Sequence, residues 1–407
     1  MDKIQVQTSA GQVEGFCDPK FAEIKDQFVA NFEKRGEMGA SVALTLDGKM
    51  LVDLWGGRKS KDGGSWDKDT VGIVYSCTKG VSALCAHLLV ERGLLDLDAP
   101  ITRYWPEFGQ GGKETALVSM ALDHTAGVPH VRSPVKDHGY NDYDYMVNLV
   151  EKEAAFWAPG ERTGYHGITF AWTIGELVRR TSGKRLGQFF RDELGGPLGA
   201  DFWIGLPEAH EPRVARLHMM PPLETTAQTR FWKAIANDPK SVPGLFTFNS
   251  GKTDFNDRQS RASEIGSANG VGNARSLAQL YAPFANGGGK FVSKDTLTRM
   301  GRVSSATHDD VTLMVPTRFA LGFMKSMDNR KIEHAAGMSA ILSDAAFGHV
   351  GMGGSIGFAD PECGMSFGYT MNNLGHGILM NDRGQSLVDS AYRALGYRSD
   401  KSGVWAM

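Results

Sequence analysis

The sequence has few cysteines and no long apolar run. Its four cysteines are Cys17, Cys77, Cys85 and Cys363, and no two of them are spaced as C-x-x-C. Because the spacing suggests neither a disulfide framework nor a zinc site, we expect free thiols in a reducing cytoplasm. The first residues, M-D-K-I-Q-V-Q-T-S-A-G, lack the apolar core of a signal peptide. No run approaches the about 18 apolar residues of a membrane-spanning helix. The sequence therefore predicts a cytoplasmic protein.

Charge of one sign is not in excess either. Lys plus Arg number 44 against 46 for Asp plus Glu, and no block of like charge stands out. Nucleic acids and anionic membranes are bound through clustered basic residues, so we expect neither as a partner. His124, His130 and His138 are spaced too irregularly for a metal site, and the H-E-x-x-H pattern is absent. We expect no metal and no other cofactor.

The sequence does contain enough apolar residues for a large core, together with clear hydrophobic periods. Apolar residues make up 41% of the sequence, which is enough for a substantial core. The length of 407 residues allows two or three domains, or one domain with a large insertion. Residues 18–35 predict a helix that begins at Asp18 and ends before Gly36. Two short apolar segments flank Asp47 and Gly48, a pattern typical of a β-hairpin.

Farther along the chain the pattern changes twice. A buried helix is predicted to open at Ser76 and to end at Gly93, and residues 98–261 are mostly helix and long loop. Strand patterns return afterwards in R-F-A-L-G-F-M-K-S, S-I-G-F-A-D and M-S-F-G-Y-T-M-N-N. This order predicts an α+β fold. Residues 1–97 and 262–407 would form an antiparallel sheet flanked by helices, interrupted by a mainly helical insertion domain.

The stretch V-Y-S-C-T-K-G-V, residues 74–81, places a serine and a lysine three residues apart at the start of a predicted helix. Residues with this spacing share a helix face, so the Lys79 amine can reach the Ser76 hydroxyl. A serine hydroxyl is a weak nucleophile and needs such a base, and burial or a second cation must lower the lysine pKa. The free N–H groups at the start of a helix also suit a developing oxyanion.

The S-x-x-K pattern alone is not specific, because it also occurs at Ser65 and Ser133. Ser65 lies in a polar loop and Ser133 precedes a proline, whereas Ser76 lies between a strand and an amphipathic helix. A rival pattern, G-G-S-I-G, is centred on Ser355. A G-x-S-x-G nucleophile needs a strand, a sharp turn and a helix, but here a second strand follows the turn. We interpret these glycines as places where a strand edge approaches a neighbour closely.

Five segments follow one another along the chain and together carry a resemblance to a known superfamily: Y-S-C-T-K-G, G-L-L-D-L-D-A-P-I-T-R-Y-W-P-E-F, A-L-D-H-T-A-G-V, P-G-E-R-T-G-Y-H-G and G-H-V-G-M-G-G-S. From about residue 20 to 395 they resemble the serine β-lactamase and penicillin-binding-protein superfamily. Within it the chain is most similar to family VIII carboxylesterases, which are similar to class C β-lactamases. The resemblance implies a β-lactamase/transpeptidase-like fold, with the active site in the cleft between the sheet domain and the insertion domain.

The resemblance also implies roles for individual residues. Ser76 would be the nucleophile, and Lys79 and Tyr165 would share its proton and pass it to the leaving alcohol. A tyrosine becomes a usable base when a cation lies close to it. The backbone N–H groups of Ser76 and Met352 would form the oxyanion hole, and Gly351 would lie close to the substrate. By itself Tyr165 could equally be a buried structural residue, and the order of the motifs favours catalysis.

Two departures from the class C pattern concern the substrate. Y-H-G at 165–167 replaces Y-x-N, so the asparagine amide that meets a β-lactam side chain is missing. H-V-G at 349–351 replaces K-T-G, and because histidine is mostly neutral at pH 7, an anionic substrate loses a fixed counter-charge. We therefore assign His349, Gly351 and Gly167 to substrate binding and expect neutral esters. His349 could instead hydrogen-bond the tyrosine or be satisfied by the backbone.

The sequence thus predicts a serine carboxylesterase that hydrolyses small neutral esters through an acyl-enzyme on Ser76. A β-lactamase, a D,D-peptidase and an acyltransferase using the same acyl-enzyme are alternatives, as is a catalytically silent binding protein. Intact Ser76, Lys79 and Tyr165 argue against the last of these. The long, loop-rich stretch 205–262 is expected to wall the pocket. Its apolar residues are Met219, Met220, Leu223, Phe231 and Trp232.

Overall fold

Strands from both ends of the chain build one antiparallel sheet. The structure is a computed structural model that describes residues 2–335 and 337–407. The strands are β1 (Asp2–Thr8), β2 (Gly11–Cys17), β3 (Gly39–Leu46), β4 (Lys49–Ser60), β5 (Gly63–Ser65), β6 (Gly72–Ile73), β7 (Phe202–Trp203), β8 (His218–Met219), β9 (Val271–Gly272), β10 (Ser305–Thr307), β11 (Thr317–Phe319), β12 (Phe347–Val350), β13 (Ile356–Asp360), β14 (Met365–Met371) and β15 (Asn373–Leu374). The sheet has the order β1–β2–β4–β3–β14–β13–β12, and β5 pairs with β4.

Helices lie between these strands and after the last of them. The α-helices are α1 (Ala22–Lys34), α2 (Cys77–Glu91), α3 (Val118–Leu122), α4 (Tyr143–Lys152), α5 (Phe170–Ser182), α6 (Leu186–Phe190), α7 (Arg230–Asn237), α8 (Val242–Phe248), α9 (Arg258–Ala262), α10 (Ala274–Ala285), α11 (Lys294–Gly301) and α12 (Asp382–Ala394). A π-helical turn, Arg191–Gly195, follows α6 directly. The 3₁₀ turns are Pro19–Phe21, Ile101–Arg103, Pro106–Phe108, Gly139–Asn141, Glu208–Arg213 and Thr226–Gln228.

Helices cover both faces of the sheet. Val42 and Leu44 of β3 point into the core that contains the buried side chains of α1 and α12. Ala43 between them points the other way and packs against Ala274 and Ala278 of α10. Successive side chains of a strand face opposite sides, so this alternation requires a helical layer on each side. The α+β fold with an antiparallel sheet flanked by helices is confirmed.

The hairpin that precedes the S-x-x-K motif and the helix that contains Lys79 both form where the sequence predicts them. β3 and β4 pair antiparallel across Asp47 and Gly48, whose φ angles are 51° and 75°. A two-residue turn with positive φ at both positions matches the right-handed twist of its strands. α2 begins directly after Ser76, and Gly93, with φ 67°, lies in the left-handed conformation just beyond its end.

Two expected elements begin or end elsewhere. The helix expected from residue 18 opens as the 3₁₀ turn capped by Asp18, and α1 starts only at Ala22. The stretch 205–262, expected to be rich in loops, contains α8, which begins at Val242. There Ser241 accepts a hydrogen bond from the N–H of Gly244 at 3.4 Å. A serine cap followed by proline near the first turn is a helix-start signal that the loop-like composition hides.

The remaining differences concern strands. β1 and β2 pair as a hairpin along the sheet edge, although the sequence interpretation assigned no structure there. The strand expected in R-F-A-L-G-F-M-K-S overlaps β11 (Thr317–Phe319) in its first two residues alone, because Gly322 turns the chain with φ 89°. The division into domains at residues 1–97 with 262–407 and 98–261 stays a prediction.

Two of the observations bear on the environment of the protein. Among the described residues, no helix combines the length and apolar character that a membrane crossing requires. Within the same part of the chain the four cysteines are unpaired, with Cys17, Cys77 and Cys85 buried and Cys363 half-buried. The expectation of free thiols is confirmed.

Candidate active site

Ser76 lies at the start of α2, directly after a strained residue. Tyr75 has φ 44°, in the left-handed region that is costly for a residue with a side chain. The surrounding contacts hold it there: the N–H of Val74 donates to Gly270 O at 2.9 Å, and the Tyr75 ring packs edge-on against Phe255 at 5.3 Å. Since α2 is buried from its first turn, the serine is presented from a rigid element.

The Lys79 amine lies beside the Ser76 hydroxyl and has two further partners. Nζ is 3.1 Å from Ser76 Oγ, and it donates to the carbonyl oxygens of Gly167 at 2.7 Å and Ser267 at 3.0 Å. A neutral amine has two N–H bonds and one lone pair. The two carbonyl groups take both N–H bonds, so the lone pair is left for the serine proton. This arrangement suits a general base.

Burial moves Lys79 and Tyr165 toward their neutral forms. Desolvation lowers the pKa of the buried Lys79 amine well below its ordinary value, with Cys77 acting in the opposite direction. Burial also raises the pKa of the Tyr165 phenol above its ordinary value, and the neighbouring Ser76 hydroxyl offsets part of the rise. The sequence analysis expects a lowered lysine pKa and a proton shared by Lys79 and Tyr165. The direction of the Lys79 shift agrees with that expectation, and the catalytic roles of the two residues stay a prediction.

Aromatic and cationic contacts fix the ring of Tyr165. Lys79 Nζ lies 4.8 Å from its centroid, and Phe319 stacks on it at 6.0 Å. The His124 ring meets it edge-on at 4.9 Å. The structure therefore brings the predicted serine, lysine and tyrosine into one cluster, although they are separated by up to 89 positions in the sequence (76 to 165).

Asp310 anchors the backbone of Tyr165 and was not identified from the sequence. The N–H of Tyr165 donates to both carboxylate oxygens, at 3.0 and 3.1 Å. The N–H groups of Thr312 and Leu313 donate to the same carboxylate at 2.8 Å, and the Thr317 hydroxyl donates at 3.1 Å. Burial raises the pKa of Asp310 to about 6. The one sequence signal for Asp310 is the stretch H-D-D-V-T-L, in which the polar residues are spaced as in an Asx turn.

His166, in the middle of the Y-H-G motif, is a structural residue. Its Nδ1–H donates to Gly164 O at 2.7 Å, and Nε2 accepts from the N–H of Val128 at 3.0 Å. Burial lowers the pKa of His166 to about 4, so the ring is neutral at pH 7. Both ring nitrogens are used inside the protein, and the ring braces the loop that carries Tyr165.

Gly167 is glycine because an aromatic ring occupies the space of its side chain. A Cβ at this position would lie 2.1 Å from Cε2 of Phe246, a residue of α8. Gly167 lines the cavity at Ser76 and also supplies a carbonyl oxygen to Lys79. Phe246, which the sequence interpretation missed, therefore makes the wall apolar where Y-x-N motifs carry an amide.

His349 is buried, and it is not among the described residues that line the cavity. Its Nδ1–H donates to Val350 O at 2.8 Å, while Nε2 has no hydrogen-bond partner in the described part of the chain. The ring lies 6.0 Å from that of Tyr165, and burial lowers the pKa of His349 to about 3. A direct role in substrate binding stays a prediction. The position beside Tyr165 fits the alternative role in tuning that phenol.

The glycine-rich strand end beyond His349 packs tightly beneath the serine. A Cβ at Gly351 would lie 2.1 Å from Val74 O, and the buried Ser355 hydroxyl donates to the same carbonyl oxygen at 3.1 Å. Ser355 thus ties the strand end to the residues before Ser76. Met352 lines the cavity. Within the described residues, the N–H groups of Met352 and Ser76 donate no hydrogen bond, as an oxyanion hole requires.

The site opens into a largely apolar cavity of about 660 Å³. Ser76, Tyr165 and Met352 belong to its lining. The apolar residues expected to wall the pocket also line it: Met219, Met220, Leu223, Phe231 and Trp232. The prediction that the stretch 205–262 forms this wall is confirmed.

Comparison with known proteins identifies the family. The model of the beta-lactamase family matches residues 25–391. The chain belongs to this family. It is 34% identical over 389 residues to the esterase/beta-lactamase LipL of Mycobacterium tuberculosis, covering 91% of this chain and 85% of the relative.

Solved structures agree with this assignment. A family VIII carboxylesterase superposes with a TM-score of 0.80 at 34% identity, covering 94% of this chain and 99% of the other. A penicillin-binding protein homologue from Caulobacter crescentus gives 0.82 at 30% identity, with the same coverage of 94% and 99%. The resemblance drawn from the ordered motifs is confirmed, and the comparisons indicate a hydrolase of the β-lactamase fold.

Proposed function

We propose that this member of the beta-lactamase family is a serine carboxylesterase that forms an acyl-enzyme on Ser76. The observation that carries the proposal is the Lys79 amine, 3.1 Å from Ser76 Oγ with both N–H bonds engaged by carbonyl groups. The similarity to LipL and to a family VIII carboxylesterase supports the same activity.

Acylation would begin with proton transfer from Ser76 to the neutral Lys79. Oγ then attacks the ester carbonyl, and the N–H groups of Ser76 and Met352 hold the negative oxygen of the tetrahedral intermediate. Tyr165 donates its phenolic proton to the departing alkoxide, and the protonated Lys79 returns a proton to the phenolate. The products of this step are the free alcohol, the Ser76 ester and a neutral lysine–tyrosine pair.

Deacylation would use the same groups in reverse. A water takes the place of the departed alcohol and transfers a proton to the Tyr165–Lys79 pair as it attacks the Ser76 ester. The second tetrahedral intermediate collapses with return of that proton to Oγ, releasing the carboxylic acid. An alcohol or amine that replaced this water would give the acyltransferase reaction instead.

The preference for a neutral ester rests on two positions. Where K-T-G motifs carry a lysine, this chain has His349, which is buried and neutral at pH 7 because its pKa is lowered to about 3. At the position of the asparagine in Y-x-N motifs it has Gly167, filled by the ring of Phe246. A substrate carboxylate and a β-lactam side-chain amide would both lack the groups that receive them in class C enzymes.

The decisive experiment is hydrolysis of p-nitrophenyl butyrate by wild type, Ser76→Ala and Ser355→Ala, with the fold of each variant checked by circular dichroism. We expect Ser76→Ala to be inactive. Ser355→Ala should keep its catalytic chemistry, because the Ser355 hydroxyl is bonded to Val74 O and lies beneath the site. If Ser355→Ala is inactive while folded and Ser76→Ala is active, the assignment of the nucleophile and of every role above is wrong.

A β-lactamase activity is the second candidate, because the name of LipL includes it. The same nucleophile and base could open a β-lactam ring. Nitrocefin turnover measured beside p-nitrophenyl butyrate distinguishes the two. We expect kcat/KM to be far higher for the ester, and the reverse order would favour the β-lactamase.

A further inference from the structure

The segment A-L-D-H-T-A-G-V, residues 121–128, has no part in the reaction as proposed so far. In the structure it lies along the loop that carries Tyr165. The N–H groups of Phe156 and Gly160 donate to backbone carbonyl oxygens of the segment, at 2.8 and 3.0 Å. His124, in the middle of the segment, meets the Tyr165 ring edge-on. The segment therefore supports the loop from which Tyr165 reaches the site.

His124 holds the backbone on both sides of Tyr165. Its carbonyl oxygen accepts from the N–H of Gly164 at 3.1 Å, and its Nδ1 accepts from the N–H of His166 at 3.1 Å. The N–H of Tyr165, which lies between these two groups in the chain, donates to Asp310. Three successive N–H groups of the loop are thus fixed, and one residue fixes two of them.

The imidazole ring of His124 also packs directly against the phenol ring. The centroids of the His124 and Tyr165 rings are 4.9 Å apart, and Phe319 packs against the histidine at 4.5 Å. His124 is 1% exposed and is not among the described residues that line the cavity. It is therefore placed to act on the reaction through Tyr165 and not through contact with a substrate.

The backbone of His124 has a conformation that few side chains adopt. Its φ is 68°, in the left-handed region. The Asp123 carboxylate accepts from the N–H and hydroxyl of Thr125 at 3.2 and 2.7 Å, and from the Ser304 hydroxyl at 2.6 Å. These contacts hold the residues on either side of His124. Strained residues that their surroundings fix in this way cluster at active sites.

The hydrogen bond from the His166 backbone requires an uncharged ring at His124. A backbone N–H can only donate, so the Nδ1 that accepts from it carries no proton. Burial lowers the pKa of this ring well below its ordinary value, and the neighbouring His166, Lys79 and His349 lower it further. At pH 7 the ring is a neutral hydrogen-bond acceptor, a role that an asparagine Oδ1 can also fill.

We propose that His124 is a positioning residue of the acyl-transfer reaction, which holds the Tyr165 phenol where it can protonate the departing alcohol. The inference rests on the proposed carboxylesterase function and adds a residue to it. His124 acts through its carbonyl oxygen and Nδ1 on the flanking backbone, and through its ring on the phenol ring. Loss of the side chain leaves Ser76 and Lys79 on their helix and impairs the step that needs the phenol.

The test compares two butyrate esters whose leaving groups differ in their need for a proton. p-Nitrophenolate is a weak base that departs without a proton, whereas ethoxide must be protonated as it leaves. Acylation is the first chemical step with both esters, so kcat/KM reports it in each case. A displaced phenol therefore slows ethyl butyrate more than p-nitrophenyl butyrate, whereas a general loss of active protein lowers both values by the same factor.

His124→Gly removes the ring and Nδ1, and glycine adopts positive φ without strain. We expect it to lower kcat/KM for ethyl butyrate about tenfold more than for p-nitrophenyl butyrate, a part of the about 10²–10⁴-fold that proton transfer by a positioned side chain supplies. His124→Asn keeps an acceptor for the His166 N–H and also tolerates positive φ. It should return the ratio of the two kcat/KM values to within about threefold of wild type.

His87→Gln is the matched control, because His87 is another buried histidine and is bonded to Leu321 O, outside the cavity lining. It should leave the ratio at the wild-type value. If circular dichroism shows that His124→Gly does not fold, His124→Leu replaces it, since leucine fills the space of the ring and has no acceptor.

A folded His124→Gly or His124→Leu that keeps the wild-type ratio overturns the inference and leaves the carboxylesterase intact. Equal ratios for His124→Asn and the variant without an acceptor overturn the role given to Nδ1. If wild type hydrolyses neither ester and is not labelled by a fluorophosphonate, the proposed function itself is wrong.

Discussion

The chemistry of the site depends on the charge of one amine. Lys79 is surrounded by two carbonyl groups, a hydroxyl and an aromatic ring, and none of these requires a cation. Arginine at this position would keep a permanent charge and would offer no lone pair. We therefore expect Lys79→Arg to lower kcat for p-nitrophenyl butyrate by about 10²–10⁴-fold, the range that general-base catalysis supplies. Lys79→Met, which has neither a charge nor a basic nitrogen, should be equally impaired. Near-normal turnover by the arginine variant would exclude the lone-pair mechanism.

The neutral state of Lys79 also fixes the direction of the pH dependence. Burial lowers the pKa of Lys79, so the amine stays unprotonated at pH values where a free lysine is charged. Burial raises the pKa of Tyr165, so its proton stays in place on the alkaline side. We expect kcat/KM to fall only as the pH drops through the lowered lysine pKa, and to persist on the alkaline side. A rate profile that instead rises through the ordinary lysine pKa of about 10.4 would contradict a neutral base.

Asp310 allows a test of positioning, because its hydrogen bonds to Tyr165 are made with the backbone N–H. An asparagine there has one acceptor oxygen in place of two and brings an NH₂ group toward four donors. We expect Asp310→Asn to lower the free energy of unfolding by about 1–3 kcal/mol. It should also reduce kcat more than it raises KM, since the phenol moves relative to Ser76. Its exposed neighbour provides the control: Asp309→Asn should change the free energy of unfolding by less than about 1 kcal/mol.

At this scale the sequence identifies the groups that are proposed to react and misses most of those that position them. Ser76, Lys79 and Tyr165 were found because the motifs follow one another in a known order. Ser267 and Asp310 act through a carbonyl oxygen and through backbone contacts, respectively. Such roles leave no signature in residue type or spacing, so only the folded structure reveals them.

At the scale of helices and loops, the contact of α8 with the Y-H-G loop decides the shape of the pocket. A Cβ at Gly167 would lie 2.1 and 2.5 Å from two ring atoms of Phe246, distances that the ring can relieve only by moving. We expect Gly167→Ala to lower the free energy of unfolding by about 1–3 kcal/mol, as overpacking of a core does. In the background Phe246→Ala the same substitution should cost less, giving a coupling energy of about 0.5–3 kcal/mol in a double-mutant cycle. Additive effects in urea unfolding would show that the two sites do not compete for space.

Local signals explain which elements were predictable. The β3–β4 hairpin and α2 carry turn residues and a helical period that agree with their final structure, so no tertiary contact has to override them. The first turn of α8 lies in N-D-P-K-S-V-P-G, where turn-forming residues outnumber apolar ones. Its helical conformation depends on the Ser241 cap and on packing against the Tyr165 loop, and neither is visible as a periodic pattern.

For the molecule as a whole, the sheet joins the strands of the first 60 residues to β12, β13 and β14 through the β3–β14 pairing. Strand patterns at both ends of the chain predict that distant segments form one antiparallel sheet, but they do not predict which strands pair. Its register, Val42 opposite Tyr369, follows from which residues face α1 and which face α10. A buried ion pair of Glu37 and Arg383 at 2.8 Å, completed by the Tyr369 hydroxyl, then joins the start of α12 to this sheet.

Buried neutral histidines make the stability of the whole fold sensitive to acid. Burial lowers the pKa of His87, of His130 and of His166 to about 4 in each case. In the unfolded chain each titrates near 6.5. Between these values the unfolded state binds protons that the folded state does not, so the free energy of unfolding decreases as the pH falls through this window and is fully retained above it. Asp310, whose folded pKa is raised to about 6, acts in the opposite direction over part of the range.

His87 is the residue at which this contribution can be isolated. Its Nε2–H donates to Leu321 O at 2.8 Å, and its ring stacks on Phe323 at 5.9 Å. His87 is not among the described residues that line the cavity. Glutamine can keep the donated hydrogen bond but cannot be protonated. We expect the free energy of unfolding of His87→Gln to depend less on pH than that of wild type, by up to about 1.4 kcal/mol per pH unit between pH 6 and 5. Urea unfolding of both proteins at pH 7, 6 and 5 measures the difference, and parallel pH profiles would mean that His87 binds protons equally in the folded and unfolded states, so that burial does not lower its pKa.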